Sequence, residues 1–324
     1  MAKFKVYYTI ELNEVATHIF ESNDFEVKLC SHNDEETYVK ELAEFQPDAI
    51  MCRTEPITAQ MMDTCKNLKV IGKQGAGLDN IDMDHAHAKD ITVVYAPAGN
   101  ANAVAEHAVM LMLMCAKRFT YVDRQFRGGN FLVRMGMEHT YELGGKTLGM
   151  IGCGRISQLA MQKCKNGFGM KVIGYDPYMT QDKLGDLCEL KATAKEVWEQ
   201  ADFVSVHLPV VPSTEHSIGR EQFSWMKPTA SFINCARGAL IKENELVECL
   251  KDGTLFQAGL DVFEHEPIQE SSRELFDLDN VIMTPHMAAT TEQSVLNCCT
   301  SVANDIVAVC NGQEPQVKAQ KPKF

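Results

Sequence analysis

Three polar side chains in the second half of the chain each follow an apolar, strand-like segment. They are Arg237, Glu266 and His286. Because the carboxyl ends of parallel strands lie at one edge of a sheet, we expect the guanidinium, the carboxylate and the imidazole to converge there. Taken singly, the three positions have structural alternatives: a surface turn, a loop charge and a buried histidine.

Together the three groups would suit the reduction of a 2-oxo acid, in which C2 receives a hydride and its oxygen receives a proton. Arg237 offers a permanent charge and a planar fork of donors, which can hold a carboxylate and polarise a carbonyl. His286 can give the proton in reduction and accept it in oxidation. Glu266 would orient His286 and favour the protonated form that reduction needs.

A glycine-rich turn is the second candidate for chemistry. The segment Gly152-Cys153-Gly154-Arg155-Ile156-Ser157 follows an apolar run, a pattern typical of a dinucleotide-binding loop that opens a helix. Gly152 would permit the tight turn, and Gly154 would let the backbone approach a pyrophosphate at the helix N-terminus. Ser157 stands where the pattern has its third glycine, and this departure weakens the match slightly.

An acidic residue at the end of the next strand-like run strengthens the nucleotide hypothesis. Asp176 lies 24 residues after Gly152. A carboxylate there can accept hydrogen bonds from both adenosine ribose hydroxyls and would repel the additional phosphate of NADP. The sequence therefore predicts NAD as the cofactor, and a turn residue before Pro177 is the structural alternative.

The elements that must position these groups follow from the length and the apolar pattern. A chain of 324 residues can form two domains. Short β-rich runs alternate with helical stretches, which predicts parallel sheets covered by helices. The predicted strands are 5–9, 25–30, 49–52, 68–72, 91–95, 147–151, 171–175, 203–206, 231–234, 258–261 and 281–284, with long helices over about 102–118 and 290–310.

Composition and charge exclude several classes of partner. The net charge of −13 argues against nucleic acid, and the apolar run 108–116 is too short to span a bilayer. Twelve cysteines without a CxxC pair, and an opening without a signal-peptide pattern, predict reduced thiols in a cytoplasmic protein. His85 and His87 would point to different sides of a helix, so we expect no metal site.

Seven stretches spread over most of the chain resemble the D-isomer-specific 2-hydroxyacid dehydrogenase family, and most of all its phosphoglycerate dehydrogenase branch. They occur in the family's order and spacing. They are VIGKQGAGLDNID (70–82), GNANAVAEH (99–107), LGGKTLGMIGCGRI (143–156), VHLPVVPST (206–214), INCARGAL (233–240), GLDVFEHEP (259–267) and VIMTPH (281–286). The resemblance implies NAD-dependent hydride transfer between the nicotinamide and C2 of a small 2-hydroxy acid.

The resemblance also implies roles for individual residues. The family's catalytic Arg, Glu and His correspond to Arg237, Glu266 and His286, whereas Glu264 and His265 do not occupy catalytic positions. The Gly75-Ala76-Gly77 turn resembles the loop whose amides hold the substrate carboxylate, and Asp261 would face the nicotinamide amide. The implied cofactor contacts are Gly152, Gly154, Arg155, Ile156, Asp176, Leu208, Cys235, Ala236, Arg237 and Asp261.

The architecture implied by the resemblance is α/β, with two doubly wound parallel-sheet domains. A Rossmann-type NAD-binding domain (residues 101–288) is inserted in a smaller flavodoxin-like substrate domain (residues 1–100 and 289–324). Residues 102–143 resemble the family's dimer-forming region, so we expect a homodimer. The chain resembles the short form of the family, so we expect no feedback control through a regulatory domain.

Several 2-hydroxy or 2-oxo acids are compatible with the sequence as the substrate. Arg53 and Arg134 lie where the family can place substrate-contacting cations, and each has a solvated surface arginine as its alternative. Candidates are 3-phosphoglycerate, hydroxypyruvate, glyoxylate and larger 2-oxo acids. Two rival activities are an NAD(H)-sensing binding protein similar to corepressors built on this fold, against which the retained triad argues, and a formate-type dehydrogenase, which typically has Gln in place of Glu266.

Overall fold

A computed structural model describes residues 3–320, apart from the side chain of Ser271. The chain forms two compact units. One contains Asn100 and the residues before it, together with residues from Thr290 onward, and the other is Ala101–Ala289.

The first unit is built on a five-stranded parallel sheet with the order β2-β1-β3-β4-β5. Its strands lie within two residues of the predicted bounds. They are β1 (Phe4–Tyr8), β2 (Phe25–Leu29), β3 (Ala49–Cys52), β4 (Val70–Lys73) and β5 (Thr92–Tyr95). The helices of this unit are α1 (Glu14–Glu21), α2 (Glu35–Phe45), α3 (Ala59–Thr64), α4 (Met83–Ala88) and α12 (Glu292–Cys310).

Alternation along the strands of this unit fills two separate cores. Val6 and Met51 face the cluster that contains α1 and α12, whereas Tyr7 and Ile50 face the cluster that contains α2, α3 and α4. This is the pattern of a sheet buried on both faces, where successive side chains point to opposite sides. The carboxyl ends of the strands are thereby left as the accessible edge of the sheet.

The second unit is built on a seven-stranded parallel sheet with the order β12-β11-β10-β9-β6-β7-β8. The strands are β6 (Thr147–Ile151), β7 (Lys171–Tyr175), β8 (Glu189–Leu190), β9 (Phe203–Val206), β10 (Ser231–Asn234), β11 (Gln257–Leu260) and β12 (Val281–Met283). Six of them were predicted to within one residue. The seventh, β8, has only two residues at the sheet edge and carries no readable period.

The helices of the second unit cover this sheet and form a short arm. They are α5 (Ala101–Ala116), α6 (Phe119–Arg127), α7 (Arg155–Phe168), α8 (Gln181–Leu184), α9 (Ala194–Gln200), α10 (Arg220–Ser224) and α11 (Glu243–Asp252). Short 3-10 segments occupy Phe131–Gly136, Gly238–Leu240 and Glu270–Asp277. The predicted helix 102–118 ends earlier than expected, because Arg118 adopts a left-handed conformation (φ 50°) and α6 starts anew.

The strand order places a switch point between β6 and β9. Chain order runs outward from β6 through β7 to β8 on one side, and from β9 through β10 and β11 to β12 on the other. Loops at the carboxyl ends of β6 and β9 therefore diverge and leave a crevice, which is where open α/β sheets bind ligands. None of the helices within residues 3–320 is long and apolar enough to cross a membrane.

Candidate active site

The three predicted catalytic residues emerge from three adjacent strands. Arg237 follows β10, Glu266 follows β11 and His286 follows β12, and these strands are neighbours in the sheet. His286 Nδ1 lies 2.5 Å from Glu266 Oε2. The other oxygen of Glu266 accepts the amide proton of Phe263 at 3.0 Å. Both carboxylate oxygens are thus engaged, and the imidazole is held by one of its nitrogens.

The electrostatics of this pair fix the proton on the imidazole. Burial would raise the pKa of Glu266, but the hydrogen bonds from His286 and the Phe263 amide, with the charge of Arg237, outweigh burial and lower that pKa below its usual range. The carboxylate therefore stays ionised at neutral pH and can only accept. His286 Nδ1 must carry the shared proton, which leaves Nε2 as the nitrogen that can exchange a proton with a substrate.

A close backbone approach links the loop of Arg237 to the loop of Glu266. A Cβ atom built on Gly238 would overlap the carbonyl group of Phe263 and crowd the amide nitrogen of Glu264. Glycine is therefore the residue that lets the two loops touch. This contact explains why Arg237 is followed by glycine and couples the position of one charged group to the other.

The turn that carries His286 is held by Asp261. His286 adopts a left-handed backbone conformation, φ 50°, and its amide donates to the carbonyl oxygen of Asp261 at 2.7 Å. The carboxylate of Asp261 accepts the amide protons of Met287 at 2.9 Å and Ala288 at 2.8 Å. Sequence analysis predicts that Asp261 faces the nicotinamide amide, and in the structure its buried carboxylate also holds the turn that presents His286.

The glycine-rich loop lies in the crevice at the switch point. Gly152 has φ +89°, and a Cβ atom there would lie 2.6 Å from the carbonyl oxygen of His207 and 3.1 Å from Leu208 Cδ2. The loop after β6 can therefore approach the loop after β9 only because Gly152 lacks a side chain. Leu208, a predicted cofactor contact, is thus brought beside the glycine turn.

The N-terminus of α7 is open to an anion. Gly154 is the residue before its first turn and no side chain caps the helix. Arg155 and Ile156 follow as its first two residues, exposed and half-buried respectively. Uncapped amides at the positive end of the helix dipole are the groups that bind a pyrophosphate.

Ser157 has a function that the motif does not reveal. Its side chain is fully buried, and its hydroxyl donates to the carbonyl oxygen of Gly152 at 2.6 Å. The expected cost of replacing the third glycine is thus offset by a hydrogen bond across the turn. Serine stabilises the turn that the first glycine makes possible.

Asp176 also belongs to the glycine loop. One oxygen accepts the Cys153 amide proton at 2.9 Å, and the other accepts the Tyr178 amide proton at 2.8 Å. The half-buried carboxylate therefore lies directly behind the loop, at the end of β7. A glycine turn, a helix N-terminus and an acidic side chain in this arrangement fit a dinucleotide with a free ribose.

The two remaining cofactor candidates follow β10. Cys235 is buried, and burial and then the nearby Asp261 charge raise the pKa of its thiol well above the usual value. Ala236 is half-buried and its amide donates to the side chain of Asn234 at 2.9 Å. An inert thiol and a small residue leave this strand end narrow and uncharged up to Arg237.

The substrate candidates of the first unit share the carboxyl edge of its sheet. Arg53 follows β3, and its guanidinium donates to Thr290 Oγ1 at 2.8 Å. The Gly75-Ala76-Gly77 turn follows the adjacent strand β4, and Gly75 has φ +141°. Lys73 is buried, and its Nζ lies 4.0 Å from the position that a Cβ atom on Gly75 would take. Two cationic side chains and a glycine-rich turn thus lie at the carboxyl edge of this sheet.

Arg134, the other predicted substrate contact, does not follow a strand. It lies in the 3-10 segment Phe131–Gly136 of the second unit, where it is exposed and its guanidinium stacks 4.8 Å above the Phe131 ring. His85, weighed above as a metal ligand, pairs with Asp63 at 2.9 Å. Within residues 3–320 no group of three or more His, Cys, Asp or Glu side chains could hold a metal ion.

Sequence reasoning missed two polar residues behind the His286 turn. His107 Nε2 lies 2.8 Å from Thr284 Oγ1, and that hydroxyl lies 2.6 Å from Asp261 Oδ1. A histidine directly before the apolar run 108–116 of helix α5 was the available signal, because a buried imidazole needs a hydrogen-bond partner.

Comparison with known proteins agrees with this geometry. The NAD binding domain model of the D-isomer specific 2-hydroxyacid dehydrogenase family matches residues 109–288. A D-3-phosphoglycerate dehydrogenase of Methanocaldococcus jannaschii is 39% identical over 311 residues, which are 95% of this chain and 58% of that protein. A hydroxypyruvate reductase of Thermotoga maritima is 36% identical over 296 residues, which are 91% of this chain and 94% of that protein.

A solved structure extends the likeness to the fold. The D-lactate dehydrogenase of Aquifex aeolicus, crystallised with NAD and lactic acid, is 25% identical with a TM-score of 0.84, and the match covers 98% of this chain and 100% of that one. The chain thus spans the whole of this relative but 58% of the length of the phosphoglycerate dehydrogenase. The protein belongs to the D-isomer specific 2-hydroxyacid dehydrogenase family.

Proposed function

We propose that the protein catalyses the NAD-dependent interconversion of a small 2-hydroxy acid and its 2-oxo acid. The observation that carries the proposal is the 2.5 Å contact between His286 and Glu266, on strand ends next to that of Arg237. This arrangement supplies a proton donor and acceptor, a group that orients it, and a cation for the substrate carboxylate.

Each group has a distinct part in this chemistry. Bound NADH supplies the hydride. Arg237 holds the carboxylate and draws electron density from the C2 carbonyl, so that negative charge develops beside a fixed positive charge. His286 delivers its Nε2 proton to the carbonyl oxygen, while Glu266 keeps the ring oriented and stabilises the imidazolium. In oxidation the same Nε2 accepts the hydroxyl proton.

The residues that would hold NAD are the glycine turn at Gly152, the first turn of α7, Leu208 and Asp176. The half-buried carboxylate of Asp176 supports a choice of NAD over NADP, because it suits ribose hydroxyls and repels a phosphate. In this proposal the second unit is the cofactor domain, and Arg53 and the Gly75-Ala76-Gly77 turn of the first unit are candidates for substrate contacts.

For the substrate we propose 3-phosphoglycerate and its 2-oxo product, with hydroxypyruvate and glyoxylate as alternatives. The support is the 39% identity to a phosphoglycerate dehydrogenase and the cations Arg53 and Lys73 at one sheet edge of the first unit. A phosphate dianion needs more than one positive partner. The 36% identity to a hydroxypyruvate reductase supports hydroxypyruvate, which has no phosphate, as an alternative substrate.

We also propose a homodimer formed through the arm that includes α6 and the 3-10 segment after it. Phe126, Phe131, Leu132 and Met135 are all more than half exposed there, and apolar groups of this size on one segment are typical of an interface. Leu132→Asp with Met135→Asp should convert dimers to monomers in sedimentation velocity. Tyr178→Asp, at a position that is 88% exposed elsewhere in this unit, is the control; a monomeric wild type would refute the proposal.

The decisive experiment is NADH oxidation, followed by absorbance, with 3-phosphohydroxypyruvate, hydroxypyruvate, glyoxylate, pyruvate and 2-oxoisocaproate. Rapid turnover of one acid is expected, and His286→Ala should abolish it while NADH still binds. If 3-phosphohydroxypyruvate is turned over fastest, Arg53→Gln should raise the KM for this acid without changing the KM for NADH. Binding of NADH without turnover of any acid would refute the dehydrogenase and favour an NAD(H)-sensing protein.

A further inference from the structure

A chain of hydrogen bonds runs from helix α5 to the turn that presents His286. His107, whose side chain is only 10% exposed, points from α5 toward this turn. Its Nε2 lies 2.8 Å from Thr284 Oγ1 and 3.4 Å from Asp261 Oδ1. Thr284 Oγ1 in turn lies 2.6 Å from the same Asp261 oxygen. Three polar side chains from two strand ends and one helix thus meet, with Asp261 buried and His107 and Thr284 partly buried.

The direction of each hydrogen bond follows from what the partners can donate. The Asp261 carboxylate can only accept, so the Thr284 hydroxyl donates its one proton to Asp261 Oδ1. The hydroxyl oxygen must then accept from His107 Nε2. Burial lowers the pKa of His107 although the charge of Asp261 opposes the shift, so the ring is neutral and its single proton is on Nε2.

The far end of this chain holds the His286 turn. The Asp261 carboxylate takes the amide protons of the two residues after His286, and the Asp261 carbonyl oxygen takes the amide proton of His286 itself. His286 has φ 50°, a conformation that residues other than glycine rarely adopt and that persists only where the surroundings impose it. The carboxylate can impose it only while its own orientation is fixed.

We propose that His107 is a positioning residue for the reaction, acting through Thr284 and Asp261 to hold the left-handed turn of His286. The inference rests on the proposed function, in which His286 exchanges the proton with substrate. Glu266 fixes the imidazole at Nδ1, and the chain from His107 fixes the backbone from which that imidazole projects. Both constraints are needed, because a proton is transferred only over a hydrogen-bond distance.

The test compares two substitutions that differ in the donor. His107→Phe keeps an aromatic ring and removes the Nε2 proton, whereas His107→Gln keeps an amide donor near the same position. We expect His107→Phe to lower kcat in both directions by about tenfold, the effect of one buried hydrogen bond, with the KM for NADH nearly unchanged. His107→Gln should restore most of the loss. If the Phe variant does not fold, His107→Asn replaces it, because its shorter amide cannot reach Thr284.

A double-substitution cycle tests whether His107 acts through Thr284. Thr284→Val removes the hydroxyl, so His107→Phe should have little further effect on kcat in that background. Leu111→Met, one helical turn along α5 at a fully buried position, is the packing control and should leave kcat unchanged. Multiplicative effects of the two substitutions, or a wild-type kcat in His107→Phe, would overturn the proposal.

The same variants separate this inference from the function on which it rests. A wild-type protein that turns over no 2-oxo acid refutes the proposed function and with it the catalytic consequence. The thermal unfolding midpoints of the four proteins in the cycle report on the hydrogen bonds without any turnover. Additive midpoint shifts would refute the hydrogen-bonded chain itself, and non-additive shifts with an active wild type and an impaired His107→Phe support the proposal.

Discussion

Replacing Glu266 by glutamine isolates the charge of the carboxylate that holds His286. The two oxygens of Glu266 have different partners, the Phe263 amide and His286 Nδ1. Glutamine offers only one oxygen. Because the Phe263 amide can only donate, the glutamine oxygen should stay with this amide and the NH₂ group should face His286. Nδ1 must then be an acceptor, which puts the proton of the neutral ring on Nε2.

This reversal impairs the reaction in both directions. In reduction, His286 must be an imidazolium before it can give up the Nε2 proton, and its Nδ1–H would now point at another donor. In oxidation, Nε2 must be free to accept a proton, but the neutral tautomer already carries one there. Glu266→Gln therefore changes which ring nitrogen of His286 carries the proton, while the shape of the side chain at position 266 stays almost the same.

The magnitude follows from the hydrogen bond that is lost. A hydrogen bond to a charged group contributes about 1.5–3 kcal/mol. The two side chains are 36% and 34% exposed, so solvent screening favours the lower part of that range. At about 1.4 kcal/mol per factor of ten, we expect kcat to fall by about ten- to fortyfold at neutral pH.

The assay is the steady-state rate of NADH oxidation with the best 2-oxo acid between pH 5 and 9. Glu264→Gln is the matched control, because Glu264 also pairs with a histidine, His216, at 2.9 Å and lies two residues away. Its rate and pH profile should match the wild type. A Glu266→Gln enzyme with wild-type kcat and an unshifted pH profile would refute the reasoning about the Nδ1 proton.

Three further predictions concern cofactor choice, packing and pH. Asp176→Asn keeps one of the two contacts with backbone amides and loses the negative charge. The ratio of kcat/KM for NADPH to that for NADH should therefore rise about tenfold or more. An unchanged ratio would show that Asp176 does not bind the ribose. Gly238→Ala should lower the free energy of unfolding by about 1–3 kcal/mol and reduce kcat, because its methyl group meets the Phe263 carbonyl. The control is Gly167→Ala, which has open space around it. It should change neither urea unfolding nor activity. Burial lowers the pKa of His207 to about 4, so the unfolded chain binds more protons between that value and the ordinary one; the free energy of unfolding should fall by at most about 2 kcal/mol from pH 7 to pH 5. His207→Gln should flatten this slope, and equal slopes would contradict the assignment.

The sequence by itself determined the sheet architecture and the position of the charged groups along it. Alternating apolar runs and helical stretches predicted eleven of the twelve strands found within residues 3–320, because burial on both faces makes the apolar runs continuous. The three charged side chains were found by their order after strands, since parallel strands send their carboxyl ends to one edge. Neither inference needed a contact between distant residues.

Only the tertiary structure decided how these groups are held. Thr284 and His107 are 177 positions apart, and Gly238 meets Phe263 through a close approach of two loops. The short strand β8 and the break at Arg118 likewise depend on neighbours more than on local preference. The physical reason is that hydrogen bonds and close contacts between loops depend on how the whole unit packs. Periodicity and the order of strands depend only on residues that are near one another in the sequence.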